Sequence, residues 1–442
     1  MPRLPAFLRR RGASAEPRER LSRDVYVLGL IAFFVMVGFG VVVPVLPVFV
    51  RSFGVGYAEV GAVVSAFALM RLVASPFVGK LIDIAGERVV LAVGIGIVAV
   101  SSGLVGIAAD YPHLLILRGV GGIGSAMFTV AAMTLLLGTT SAAHRARAVG
   151  FYQGGFLIGG MTGPAIGGLL ATISLTAPFF FYAATLAVAG VVGLVLLRPA
   201  SGRSARAAAG ADTDADAAEN PLVPFRDVLR DVRFRAACLA NFAQGWNSFG
   251  VRSALIPVIV VEVIKGPSSF TGIAFAIAAV AQTLALGPAA RYIDRAGRKR
   301  ALVFALAAAA VLTVAISFTG DIVTLTVLLS VYGVVSAFLG IAPAAAVGDV
   351  VGRRGGRGIA VFSMSSDIGA IVGPLAAGAL VDAFSFPVAF GVGAVFFLLA
   401  SLYSIRMPAA GSAAVPLEGP ESATRPPIDD SATPGSRVGG NR

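Results

Sequence analysis

Twelve apolar runs, each near the roughly 20 residues needed to cross a bilayer, account for most of this 442-residue chain. They fall at 25–50, 57–79, 88–109, 112–138, 148–173 and 177–197, then at 236–261, 270–290, 300–319, 322–347, 357–382 and 386–405. Between the two sets lies an alanine-rich polar stretch interrupted by Arg203, Arg206, Asp212, Asp214, Asp216 and Glu219. Only 13% of residues are charged, about half the share of an ordinary soluble domain. Mean hydropathy is +0.87, more apolar surface than a water-facing fold can hide, and 54 glycines suit close helix contact within a membrane. The expected fold is an all-α membrane protein with twelve transmembrane helices in two six-helix bundles. The expected segments are a tail at 1–24, a bundle at 25–197, a linker at 198–235 with a surface helix near 225–235, a second bundle at 236–405 and a disordered tail at 406–442.

The two sets repeat each other. Gly79-Lys80-Leu81-Ile82-Asp83-Ile84-Ala85-Gly86-Glu87-Arg88 recurs as Ala290-Arg291-Tyr292-Ile293-Asp294-Arg295-Ala296-Gly297-Arg298-Lys299, with Asp83 and Asp294 separated by 211 positions. Gly40 to Pro47 aligns with Gly250 to Pro257, and Gly163-Pro164 with Gly373-Pro374, at a shift of 210. A duplicated bundle is the sequence signature of many secondary transporters.

Net charge is +12, but its distribution argues against nucleic acid. Arg51 and Lys265 fall in loops on one side, and Arg71, Arg118 and Arg252 fall within the apolar runs. Every other Lys and Arg falls on the opposite side with both termini, which the positive-inside rule makes cytoplasmic. Arg3, Arg9, Arg10 and Arg11 precede no apolar stretch before Asp24, so the N-terminus reads as a tail and not a cleaved signal. Cys238 is the sole cysteine, which excludes a disulfide within the chain, and two histidines (His113, His144) make a histidine metal site improbable. No metal or organic cofactor is expected. Scarce lysine beside abundant Ala, Gly and Arg suggests a GC-rich prokaryote and hence a plasma membrane.

Three motifs carry chemistry. The first is the charged turn Gly79–Arg88, either a gate element or a simple helix stop; its acid can face the positive N-terminus of a neighbouring helix. The second is Arg118-Gly119-Val120-Gly121-Gly122-Ile123-Gly124-Ser125-Ala126, which sets a cation inside a span at a cost of about 2.5–3.5 kcal/mol. Arg118, Gly122, Ser125 and Thr129 share one helical face, a polar stripe suited to a cavity wall; the alternative is snorkelling to the outer interface. Glycines at 119, 121 and 124 match a dinucleotide fingerprint only formally, since no βαβ unit surrounds them. The third is Gly159-x-x-x-Gly163-Pro164-x-x-Gly167-Gly168, where glycines four apart permit close contact and Pro164 bends the helix.

On these motifs the chain resembles the major facilitator superfamily over residues 24–405, and within it the twelve-helix drug:proton antiporters. The resemblance implies that Asp83, with Gly79, Gly86 and Arg88, latches a cytoplasmic gate against the eleventh helix. Ile84 and Glu87 stand where that family often carries basic residues. It implies a link between Arg118 and proton movement, although Gly121 replaces a common glutamine. Gly159–Gly168 is similar to a signature found mainly in exporters.

Asp367 is the one carboxylate expected deep in the membrane, with Ser363 and Ser366 near its face. It is read either as a proton or substrate coupling residue or as the partner of an arginine on a neighbouring helix. Asn241, Gln244, Ser248 and Arg252 recur on one face of the seventh span and are candidates for the cavity wall with Trp246, Ser125 and Arg71. Arg71 aligns with Gln282 and is read chiefly as structural. Three intramembrane arginines against one aspartate would tolerate an anionic or zwitterionic substrate. The expected function is secondary active transport by a monomer in the lipid bilayer, exporting small amphiphilic molecules or drugs in exchange for protons. The alternative on the same fold is export of a sugar, amino acid or pathway metabolite. No paired carboxylates, metal cluster or Ser-His arrangement points to an enzyme.

Overall fold

The computed structural model describes residues 21–140, 144–197, 225–351 and 356–408. The distal part of each expected tail and most of the expected linker lie outside the described residues. No strand occurs among the described residues, and twelve helices are long and apolar enough to cross a membrane. In the first half these are α1 (Arg23–Val42), α3 (Tyr57–Ala85), α4 (Glu87–Val105), α5 (Tyr111–Gly138), α6 (Arg145–Ala171) and α7 (Ala177–Leu196), with a short α2 (Leu46–Arg51) after α1. A surface turn, α8 (Phe225–Arg230), precedes the second half. There follow α9 (Val232–Val263), α10 (Ser269–Ala296), α11 (Arg298–Ser317), α12 (Ile322–Val351), α13 (Gly356–Ala383) and α14 (Phe386–Ser404).

Each half is a bundle with its own apolar core. α1 packs on α6 and α7, and α4 and α3 pack on α5; in the second half α9 packs on α13, α10 on α12, and α11 on α14. The most extensive contacts between the halves are α3 with α13 and α6 with α10. Exchanging the halves turns one of these pairs into the other, which is what a pseudo-twofold axis between the repeats requires.

The repeat is visible at the backbone. Gly86 ends α3 at φ 81°, ψ 156°, and Gly297 ends α10 at φ 86°, ψ 153°. That region is open almost solely to glycine, so the duplicated turn needs its glycine at each copy. Gly86→Ala should lower thermal stability by about 1–3 kcal/mol. Gly79→Ala, in open space on the same helix, should be neutral or stabilising. A thermal scan of the two purified variants makes the comparison, and equal melting temperatures would contradict it.

Two features differ from the sequence expectation. The first apolar run is divided, because the chain turns at Val43–Val45 around Pro44 before α2 begins. Helix α9 is not a uniform α-helix: Trp246–Ser253 and Ile259–Val263 are wound as π-helix. Wider winding there rotates side chains away from the three-and-four spacing that placed Asn241, Gln244, Ser248 and Arg252 on a single face.

Candidate functional site: the cavity between the bundles

A cavity of about 470 Å³ lies between the halves, lined by α1, α2, α3, α5, α6, α9 and α10. Its polar groups are Arg118 and Gln153 from the first half, and Ser248, Arg252, Ser253, Gln282 and Thr283 from the second. Met36, Phe39, Phe156, Phe249 and Phe275 belong to its apolar wall. No carboxylate lines it among the described residues.

Helix α5 brings Arg118 to this wall. Asp110 caps the helix, its carboxylate accepting from His113 N at 2.9 Å; that bond holds the exposed carboxyl below the usual carboxylate range. Two turns further, Arg118 is only 6% exposed. Its guanidinium lies 4.6 Å from the Phe67 ring centroid, and its Nε is buried without a hydrogen-bond partner. Gly122 lets α5 approach α3 so closely that a methyl there would strike the Phe67 carbonyl. Arg252 projects from the first π segment, 5.9 Å from the Tyr332 ring centroid. Ser253 Oγ donates to Ser248 O, 2.8 Å away and five residues back, which fits the π winding.

One end of the interface between the halves is sealed. Asp382 of α13 accepts from the backbone N–H groups of Tyr57 (2.9 Å) and Ala58 (2.7 Å), capping α3 from the opposite half. Arg51 donates to Glu262 at 2.7 and 3.3 Å, and also to the Val55 carbonyl; the Tyr57 hydroxyl donates to Glu262 at 2.5 Å. The Glu262 bond raises the Arg51 pKa above its ordinary value. Arg51 and Glu262 are 211 positions apart, so this ion pair joins equivalent positions of the two repeats across their axis. Further in, Gly61 meets the Pro374 backbone, Gly168 meets Gly272, and Ser65 Oγ donates to Ile371 O at 2.5 Å. The innermost link is Arg71 to Asp367, at 3.0 Å.

Toward the other end the same helices separate. A methyl added at Gly150 or Gly154 of α6, or at Gly287 of α10, would meet nothing within 4 Å. Helices that touch at Gly168 and Gly272 have thus parted by the opposite ends of α6 and α10. The cavity sits where that divergence begins.

Arg118, Ser248 and Arg252 lie on the cavity wall, as does Pro164. Asp367 and Arg71 pair with each other between α13 and α3 and are not wall residues. Asn241 donates to Phe362 O at 2.7 Å and ties α9 to α13. Gln244 buries its Oε1 unpartnered, and Trp246 is buried 4.7 Å from the Phe396 ring, so neither faces the cavity. Ser125 is half-buried, its carbonyl accepting from Thr129. Gly159, Gly163 and Gly167 face α1, whereas Gly168 faces α10. Asp83 and Gly79 are exposed, and Arg88 is half-buried. The start of α13, the expected partner of Asp83, borders residues 352–355, outside the described residues.

Sequence reasoning missed the Arg51–Tyr57–Glu262–Asp382 cluster. Opposite charges at repeat-equivalent positions 51 and 262 were the available signal. It also missed Gln153, Ser253 and Thr283, isolated polar residues without a motif around them.

A sequence profile of the Major Facilitator Superfamily matches residues 28–263 and 237–433. The quinolone resistance protein NorA of Staphylococcus aureus is 29% identical over 177 residues, covering 40% of this chain and 46% of that protein. Multidrug resistance protein 1 of Bacillus subtilis is 31% identical over 166 residues, 38% of this chain and 43% of that one. The matched stretch therefore spans just under half the length of these curated relatives. Among solved structures, a bacterial homologue of the human lysosomal transporter Spinster, inward-facing and unoccupied, superposes with a TM-score of 0.67 at 16% identity, covering 88% of this chain and 96% of that one. The nucleoside transporter NupG gives 0.66 at 15% identity, over 87% and 98%. The human organic anion transporter MFSD10 gives 0.61 at 18% identity, over 88% and 100%. With the profile covering most of the chain and this fold shared across whole chains, the protein belongs to the Major Facilitator Superfamily.

Proposed function

We propose that this protein is a proton-coupled antiporter that exports small amphiphilic compounds across the plasma membrane by alternating access. The observation that carries the reading is a mid-membrane cavity sealed toward one end and flanked by diverging helices toward the other. The sealed end holds Arg51 and Lys265, and the open end holds the clustered arginines, so the positive-inside rule makes the open end cytoplasmic. Both termini are then cytoplasmic, and the state is inward-facing. The names of the partial relatives, quinolone and multidrug resistance proteins, support drug export.

In this cycle the Arg51–Glu262 and Asp382–α3 contacts break when the outer end opens. Asp83, Gly79, Gly86 and Arg88 form the opposing cytoplasmic gate. Gly159–Gly168 keeps α6 close to α1 through the movement. The protein acts as a monomer, and protons are the coupling ion. Gln153, Gln282 and Thr283 on the cavity wall favour, as a second reading, a more polar pathway metabolite as cargo.

Uptake of norfloxacin into inside-out vesicles under an imposed pH gradient tests the reading. Accumulation should collapse when nigericin dissipates the gradient; accumulation that ignores nigericin would contradict proton coupling. Asp382→Ala removes the acceptor of two backbone N–H groups and should weaken the outer seal by about 1–3 kcal/mol. Labelling of a cysteine placed at Tyr57, in a Cys238→Ser background, should then rise several-fold from the outer side. Unchanged labelling would show that Asp382 does not hold the seal.

A further inference from the structure

We infer that the cavity selects amphipathic organic anions: an aromatic or aliphatic body of one or two rings bearing a carboxylate or another single negative charge. This deepens the transport reading and rests on it.

Positive charge exceeds negative charge around the cavity. Arg71 is neutralised by Asp367, and Arg51 by Glu262. Arg118 and Arg252 remain. Both line the cavity, and among the described residues neither has an ion-pair partner. Each guanidinium instead rests against an aromatic ring, Arg118 on Phe67 and Arg252 on Tyr332. Arg118 is more than nine-tenths buried with Nε unsatisfied, an arrangement costly enough to ask for an external acceptor. An organic cation entering here would meet two like charges and no carboxylate. An anion would meet two guanidiniums able to form charge-assisted bonds, bidentate at a carboxylate.

The remaining walls fix the rest of the ligand. Phe39, Phe156, Phe249 and Phe275 offer faces and edges to an apolar body. Gln282 and Thr283 can bond a second polar group. A cavity of about 470 Å³ falls in the range of small-molecule sites. Because Arg118 belongs to the first half and Arg252 to the second, one bound anion touches both bundles. The ligand charge thus draws together the parts that must move relative to each other.

The test compares one ring system with three charges: labelled 1-naphthoate, 1-naphthylmethylammonium and uncharged 1-naphthalenemethanol. Binding and counterflow are measured on the full chain in proteoliposomes. Naphthoate should bind at least about tenfold tighter than the ammonium analogue, the scale of one charge-assisted contact. Arg252→Gln should weaken naphthoate by about tenfold and leave the alcohol unchanged, which also reports an intact cavity. Arg252→Lys should recover most of the loss. Equal or tighter binding of the ammonium, or naphthoate affinity indifferent to Arg252→Gln, would overturn the inference. Counterflow of the ammonium alone rejects the anion class and leaves transport standing. Counterflow of none of the three by folded protein rejects both.

Discussion

Asp367→Asn should abolish pH-driven uphill efflux while leaving a folded protein that still equilibrates substrate. The carboxylate sits midway along α13 and pairs with Arg71 at 3.0 Å, the innermost link of the α3–α13 seam. Asparagine keeps the shape and one acceptor for Arg71 but cannot carry a proton. Both side chains are partly exposed, 42% for Arg71 and 33% for Asp367, so the lost pair costs far less stability than a fully buried one. Counterflow, which needs no net proton movement, should stay within about threefold, less than about 0.7 kcal/mol of barrier. A second variant separates two roles. If Asp367 only neutralises Arg71, the double change Asp367→Asn with Arg71→Gln removes both charges and restores uphill efflux. If Asp367 carries the coupling proton, the double variant stays uncoupled. Uphill efflux undiminished in Asp367→Asn would remove the residue from the mechanism.

Gly163→Val should eliminate transport by preventing α1 and α6 from packing. A methyl at Gly163 would lie 2.6 Å from Val37 O and 2.7 Å from the Gly40 Cα, both backbone atoms that cannot rotate aside. Gly159 faces Phe33 O and Gly167 faces Val41 O in the same stripe, so the helices cannot slide to a neighbouring register. Overpacking a tight core costs about 1–3 kcal/mol per added group, and valine adds three carbons against backbone. Folded yield should fall by at least about tenfold, the equivalent of 1.4 kcal/mol, with no measurable efflux. Gly154→Ala on the same helix meets nothing within 4 Å and should behave as the parent. Gly373→Val should reproduce the defect in the second half, because Gly369 and Gly373 press on the backbone of α9 as Gly159 and Gly163 press on α1. Normal yield and efflux in Gly163→Val would show that the stripe is not a packing seam.

These expectations also mark what a sequence reader can see. The helices were legible because hydrocarbon demands long apolar runs, and the ends of α3 and α10 because glycine in a charged turn leaves few other conformations. The α1–α6 seam was legible as glycines four apart. The pairing of Arg71 with Asp367 was not, since nearly three hundred residues separate them and the helix rotations that bring them together are set by tertiary packing. The same holds for α9, where nothing local in Trp246–Ser253 announces π winding, and the assumption of an ideal helix put Gln244 and Arg252 on one face. Asp382 carried no signal in the sequence because its partners are backbone N–H groups of the other half, which have no side-chain signature.

The central claim is a water-accessible path between two bundles, sealed outside and open to the cytoplasm, around Arg118 and Arg252, which have no ion-pair partner among the described residues. The direct measurement is thiol labelling in a Cys238→Ser background with Ser248→Cys, Thr283→Cys or Phe304→Cys, using a membrane-impermeant maleimide on inside-out and right-side-out vesicles. Ser248 and Thr283 line the cavity and Phe304 faces outward from α11. The account predicts rapid labelling at positions 248 and 283 from the cytoplasmic side, slow labelling from the outside, and little at 304 from either. Positions 248 and 283 as unreactive as 304 from both sides, or labelled mainly from the outside, would contradict it.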